Sequence, residues 1–134
     1  MRSDLKNDLA PTQSLKATNQ ADPAVPVNGT GVDLANYDAA VVVIDAGAIT
    51  GAGASLTFEV QESTDNAVFT PVADADLDGA EPVITSANHN AIFEIGYRGI
   101  KRFLRVAITA KAGTTPTLAV SASVVRGKPR VRPA

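Results

Sequence analysis

The stretch Leu56-Thr57-Phe58-Glu59-Val60-Gln61 decides the fold class. Apolar and polar residues alternate strictly. Leu56, Phe58 and Val60 therefore share one face of an extended chain, and Thr57, Glu59 and Gln61 share the other. The same period of two returns further along. Phe93, Ile95 and Tyr97 alternate with Glu94, Gly96 and Arg98. Leu104, Val106 and Ile108 alternate with Phe103, Arg105, Ala107 and Thr109, and Leu118, Val120, Ala122 and Val124 with Ala119, Ser121 and Ser123. The run Ala39-Ala40-Val41-Val42-Val43-Ile44 does not alternate. It reads as a strand buried on both faces or as one that faces a partner. Shorter strands are expected near 32–34, 67–72 and 82–85.

Turn signals separate these runs. Residues 45–53 read as a loop with three glycines, Gly47, Gly51 and Gly53, and Ser63-Thr64-Asp65-Asn66 as a hairpin turn. Asp78-Gly79, Gly99 and Lys111-Ala112-Gly113 mark three more. The pattern predicts an all-β chain: a single antiparallel β-sandwich or jelly-roll-like barrel of about seven to eight strands. Three parts are expected. Residues 1–30, interrupted by Pro11, Pro23 and Pro26, read as an extended N-terminal arm. Residues 31–126 form the β-sandwich domain, and residues 127–134 a basic C-terminal tail.

Composition narrows the function. The chain has 134 residues, enough for one domain with a modest core. It has no Cys, one His and no Trp. A disulfide framework, a thiolate metal site and a thiol nucleophile are excluded, and a His-based triad has almost no raw material. No run approaches the ~18 apolar residues of a membrane span, and the opening residues lack the apolar centre of a signal peptide. The expectation is a binding or structural β-domain rather than an enzyme, with no cofactor and no membrane partner.

Charge is segregated. Residues 1–30 balance, residues 31–97 carry eleven acids and no base, and residues 98–134 carry nine bases and no acid. Either acidic and basic strands neighbour each other and cancel, or opposite faces carry opposite charge and suit packing among copies.

Most candidate sites fail on spacing. Asp74-Ala75-Asp76-Leu77-Asp78-Gly79 imitates the start of a calcium loop, but the position of the bidentate acid falls on Thr85. An acidic turn is expected instead. His89 has no nucleophile pattern beside it. The 47–53 glycines lack the lysine and the strand-to-helix setting of a phosphate loop. Arg98-Gly99-Ile100-Lys101-Arg102-Phe103 combines bases with aromatics, but a sequence pI near 5.2 argues against nucleic acid as a specific partner. No catalytic, cofactor-binding or metal-ligating residues are assigned. The residues singled out for an interface are Leu5, Leu9, Leu15, Val25 and Val27 in the arm, Arg98, Lys101 and Arg102 in the basic cluster, and Arg126, Lys128, Arg130 and Arg132 at the C-terminal end.

Four segments resemble small structural proteins of tailed bacteriophage virions, those encoded among the head genes. They are Met1-Arg2-Ser3-Asp4-Leu5-Lys6, the strand-turn-strand of residues 58–72, Ile100-Lys101-Arg102-Phe103-Leu104-Arg105-Val106, and Val124-Val125-Arg126-Gly127-Lys128-Pro129. The resemblance implies a virion location and a capsid decoration or cement protein. Such a protein binds the head lattice of the major capsid protein through its arm and sheet surfaces, and self-associates, with a trimer favoured. A tail-tube, connector or fibre-associated virion protein is the alternative. A carbohydrate-binding or adhesion β-sandwich is a third reading.

Overall fold

The computed structural model describes residues 5–20 and 25–130. Nine strands form one antiparallel sheet, and no α-helix occurs among the described residues. The strands are β1 (Leu9–Asn19), β2 (Val27–Asn28), β3 (Val32–Asp33), β4 (Tyr37–Ser63), β5 (Thr70–Pro71), β6 (Leu77–Asp78), β7 (Val83–Thr85), β8 (Ala91–Tyr97) and β9 (Phe103–Pro129). The alternation that predicts strands thus yields an all-β, β-sandwich-like fold.

Two strands of 27 residues each dominate it. β4 and β9 pair along their length, from Tyr37 opposite Pro129 to Ser63 opposite Phe103. The register slips between Ala46 and Phe58, and here the glycines act. Gly51, Gly53 and Gly113 take positive φ, which a side chain would oppose. A Cβ on Gly51 would lie 2.9 Å from the Cα of Pro116, and one on Gly113 2.9 Å from the Cα of Ala54. Residues 45–53 and 111–113, read as turns in the sequence, are instead bulged corners inside continuous strands.

Each half of this ribbon turns one face of aliphatic side chains into a shared core. Val42, Ile44 and Val124 from one half, with Ile95 of the neighbouring β8, share a core with Leu56, Val60, Leu104, Val106 and Ile108 from the other, all fully buried. The ribbon therefore doubles over at the corner into two layers. The first layer runs β1, β9, β4, β8, β6 in order. The second sets β2 and β3 beside the first half of β9, and β5 and β7 beside the second half of β4. Two hydroxyls tie the layers at their edges. Ser14 donates to the Thr30 carbonyl at 2.9 Å and accepts the Val106 N–H at 3.0 Å. Tyr97 donates to the Glu62 carboxylate at 3.2 Å and accepts the Lys101 N–H at 3.1 Å.

Several expectations change. Residues 9–19 do not stand off the body as an arm. They are β1, paired with β9 from Leu9 opposite Gly127 to Asn19 opposite Ala119, and they bury Ser14 and Leu15. Pro11 is tolerated because β1 is an edge strand. Residues 127–129 belong to β9 rather than to a separate tail. The run 39–44 is buried on one face: Val42 and Ile44 are enclosed, while Val41 and Val43 remain partly exposed. The expected arm and tail also include residues 1–4, 21–24 and 131–134, which lie outside the described residues.

Candidate interaction surface

The strand ends at Asp33, Tyr37, Tyr97, Phe103 and Pro129 gather opposite the corner, and pairing brings their charges together. Arg102 lays its guanidinium on Asp33 in a two-pronged bond, with Nε to Oδ1 at 2.9 Å and a terminal nitrogen to Oδ2 at 2.8 Å. Together with the Ala35 N–H, that fork holds the Asp33 carboxyl down at about 2 and raises Arg102. Arg130 meets Asp38 at 2.8 Å, and Arg98 meets Asp78 at 3.4 Å. Segregated charges thus cancel inside the fold at these three points. All three pairs are exposed, so each contributes little stability.

The residues expected to form an interface separate into distinct roles. Arg126 is an internal staple. It donates to the carbonyls of Ala10 and Asp33 and to Thr12 Oγ1, and stacks 4.9 Å from the Tyr37 ring centre. Leu15 is in the core, and Val27 packs against it. Leu9 opens β1 with its side chain against Gly127. Arg126, Leu15 and Val27 fasten the chain to itself, because strand pairing carries them inward, while Leu9 stays exposed at the end of β1. Leu5, Val25 and Lys128 are exposed. Arg98, Arg102 and Arg130 are exposed but paired with acids of the same chain. Lys101 is half-buried, and its ammonium makes no ion pair among the described residues. Arg132 lies outside the described residues.

A cavity of about 420 Å³ opens at this end between the segments 34–40 and 97–102. Leu34, Tyr37, Ala40 and Tyr97 line it, with Ile100 and Lys101 at its side. The loop beside it is held firmly. A Cβ on Gly99 would collide with the Tyr97 ring, and the Tyr97 hydroxyl anchors the Lys101 N–H. Burial pushes that hydroxyl up to about 12, so it stays protonated and able to donate.

The outer face of the first layer is the surface that sequence reasoning missed. Register across β1, β9, β4 and β8 sets Pro11, Val125, Val41 and Gly96 in one row, and Gln13, Ser123, Val43 and Glu94 in the next. Ser121, Asp45 and Ile92 follow, with Ile92 62% exposed. With Asp78 of β6 beside Gly96, these rows hold three acids, no base and mostly small side chains. The clue in the sequence was the unbroken run 39–44, but which residues flank it depends on pairing with residues eighty positions away.

Other candidates resolve into local structure. Asp74–Asp76 form a 3-10 turn, and Asp78 belongs to β6. Among the described residues no group of three or more His, Asp or Glu is arranged to hold a metal ion. Glu81 accepts the Val60 N–H; burial, with Glu59 and Asp74 nearby, raises its carboxyl above the usual range. His89 Nδ1 accepts the Ile49 N–H at 2.8 Å, satisfying the backbone of β4 at its irregular stretch. Asp65 receives the N–H groups of Ala67 and Val68, which hold its carboxyl at about 2. No helix among the described residues is long and apolar enough to cross a membrane. No protein-family model, no curated protein and no solved structure matches this chain.

Proposed function

We propose that this chain is a structural protein of a tailed bacteriophage virion, acting as a decoration protein on the head lattice. The outer face of the first layer carries the reading. Four strands present a broad surface of small side chains with no base in its rows, and Val41, Val43, Ser121, Ser123 and Val125 on it are partly exposed. Contact faces are depleted in charge at their centre. Many such weak contacts repeated over a shell add up to firm attachment. The sequence resemblance supplies the virion setting. In this reading the sheet face, rather than a detachable arm, grips the major capsid protein, because residues 9–19 are already engaged in the sheet.

The test is co-sedimentation with expanded phage heads stripped of their decoration. The wild-type chain is expected to saturate the heads. Val41→Glu and Val125→Glu are expected to abolish binding while leaving the circular dichroism spectrum unchanged, and Gln61→Glu on the opposite layer to retain it. Failure of the wild type to bind any head rejects the role. Rings or stacks in place of head binding support a tail-tube or connector protein.

A further inference from the structure

Ile100 is 97% exposed at the tip of the loop between β8 and β9. Isolated exposed aliphatics are common, but this one is displayed rigidly. Gly99 lies against the Tyr97 ring, and the Tyr97 hydroxyl fixes the next residue through its N–H. A fixed loop loses little freedom on docking. Ile100 also sits beside a cavity of about 420 Å³ whose wall includes Leu34, Ala40 and Tyr97. The neighbouring Lys101 ammonium has no acid of its own among the described residues.

An acidic counterpart is close by on the same chain. Asp74 and Asp76 form the 3-10 turn before β6, and neither makes an ion pair among the described residues. This turn is next to the loop: Leu77 pairs with Tyr97, and the Arg98 N–H bonds to the Asp76 carbonyl at 2.7 Å. Basic loop and acidic turn therefore share one end of the molecule. Adjacent complementary patches suit a two-fold contact, in which each copy gives what it receives and the assembly closes. We propose that two copies of this chain dock through this end, the Ile100 loop of each against the other's cavity and Lys101 of each facing the other's Asp74 and Asp76.

The contact is separate from head binding, which uses the outer sheet face. Light scattering of the purified chain reads it directly. The expected mass in low salt is twice 13.8 kDa, falling toward the single-chain mass near ~1 M salt, where the screening length is about 3 Å. Lys101→Glu alone and the double variant Asp74→Lys, Asp76→Lys alone are each expected to be monomeric. An equimolar mixture of the two is expected to recover the dimer, since both of its contacts again pair opposite charges. Ile100→Ser is expected to weaken the dimer without making it more sensitive to salt. A wild-type monomer in low salt overturns the proposal, as does any oligomer that the charge variants leave intact. Variants that stay monomeric when mixed also overturn it, provided each keeps the wild-type circular dichroism spectrum. Head binding by a monomer would leave the decoration role standing while rejecting this contact.

Discussion

The two halves of the β4–β9 ribbon have the same inner faces and different outer ones. Inside, both alternate fully buried aliphatics: Val42, Ile44 and Val124 in one half, Leu56, Val60, Leu104 and Val106 in the other. Outside, the second half carries Thr57, Glu59, Gln61 and Arg105, and the chain folds over part of it. Arg105 stacks 3.9 Å from the Phe69 ring centre and bonds Gln61 at 2.7 Å, and even Ala107, on the outer side, is fully buried. The first half carries Val41, Val43, Ser121, Ser123 and Val125, all partly exposed. Folding makes the same demand on both inner faces. The outer faces differ in chemistry: one is polar and partly overlaid by Phe69, the other is small and aliphatic.

The largest test of that contrast compares neighbours on one strand. Ile44→Ala is expected to destabilise the fold by about 2–5 kcal/mol through the cavity it opens. Val43→Ala, one residue away on the outer face, is expected to cost under about 1 kcal/mol. Urea unfolding checks both, and equal losses would mean that the outer face is structural after all. A smaller effect is expected from Arg105→Ala, which uncovers Phe69 on the polar outer face. Its loss is about 0.5–1 kcal/mol, read as a shift in the urea midpoint with an unchanged slope.

The smallest effect concerns the charged end. Asp33 is held at about 2 by Arg102 and the Ala35 N–H, below the roughly 3.9 of an unfolded Asp. A depressed carboxyl stabilises the fold above its unfolded value and loses that contribution as pH falls through its folded value. Wild type is therefore expected to exceed Asp33→Asn in stability above about pH 4, with the gap closing toward pH 2. Because the pair is exposed, the gap is at most about 1 kcal/mol. Denaturation at pH 7 and at pH 2–3 measures it.

The all-β class was legible because alternation at 56–61, 93–97, 104–109 and 118–124 is a local property of the chain. The corners were not. Gly51, Gly53 and Gly113 signal positive φ, but a glycine at a chain reversal and a glycine at a bulge look alike in sequence. β1 was obscured for a related reason. Its register shifts around Leu15, so Ser14 and Leu15 are both buried and the period of two breaks where the strand is most firmly held. Arg102 of the basic cluster and Arg130 of the C-terminal end read as interface residues because their acids, Asp33 and Asp38, lie 69 and 92 residues away. His89 gave no hint that its partner would be the Ile49 backbone. At the aliphatic outer face, each Val was visible, but their adjacency across strands was not.

The length of the β4–β9 pairing also sets the order in which the molecule can be made. β1 has its hydrogen-bonded neighbour in residues 119–127, and the start of β4 pairs with residues 118–129. As the chain leaves the ribosome, β1 must wait for these partners, and the start of β4, which pairs with β8 on one edge, keeps its other edge open until they are made. Contacts this distant make folding slow, and an unpaired strand edge invites foreign strands in the meantime. Large-scale production of such a protein in a crowded cell depends on how that waiting interval is protected.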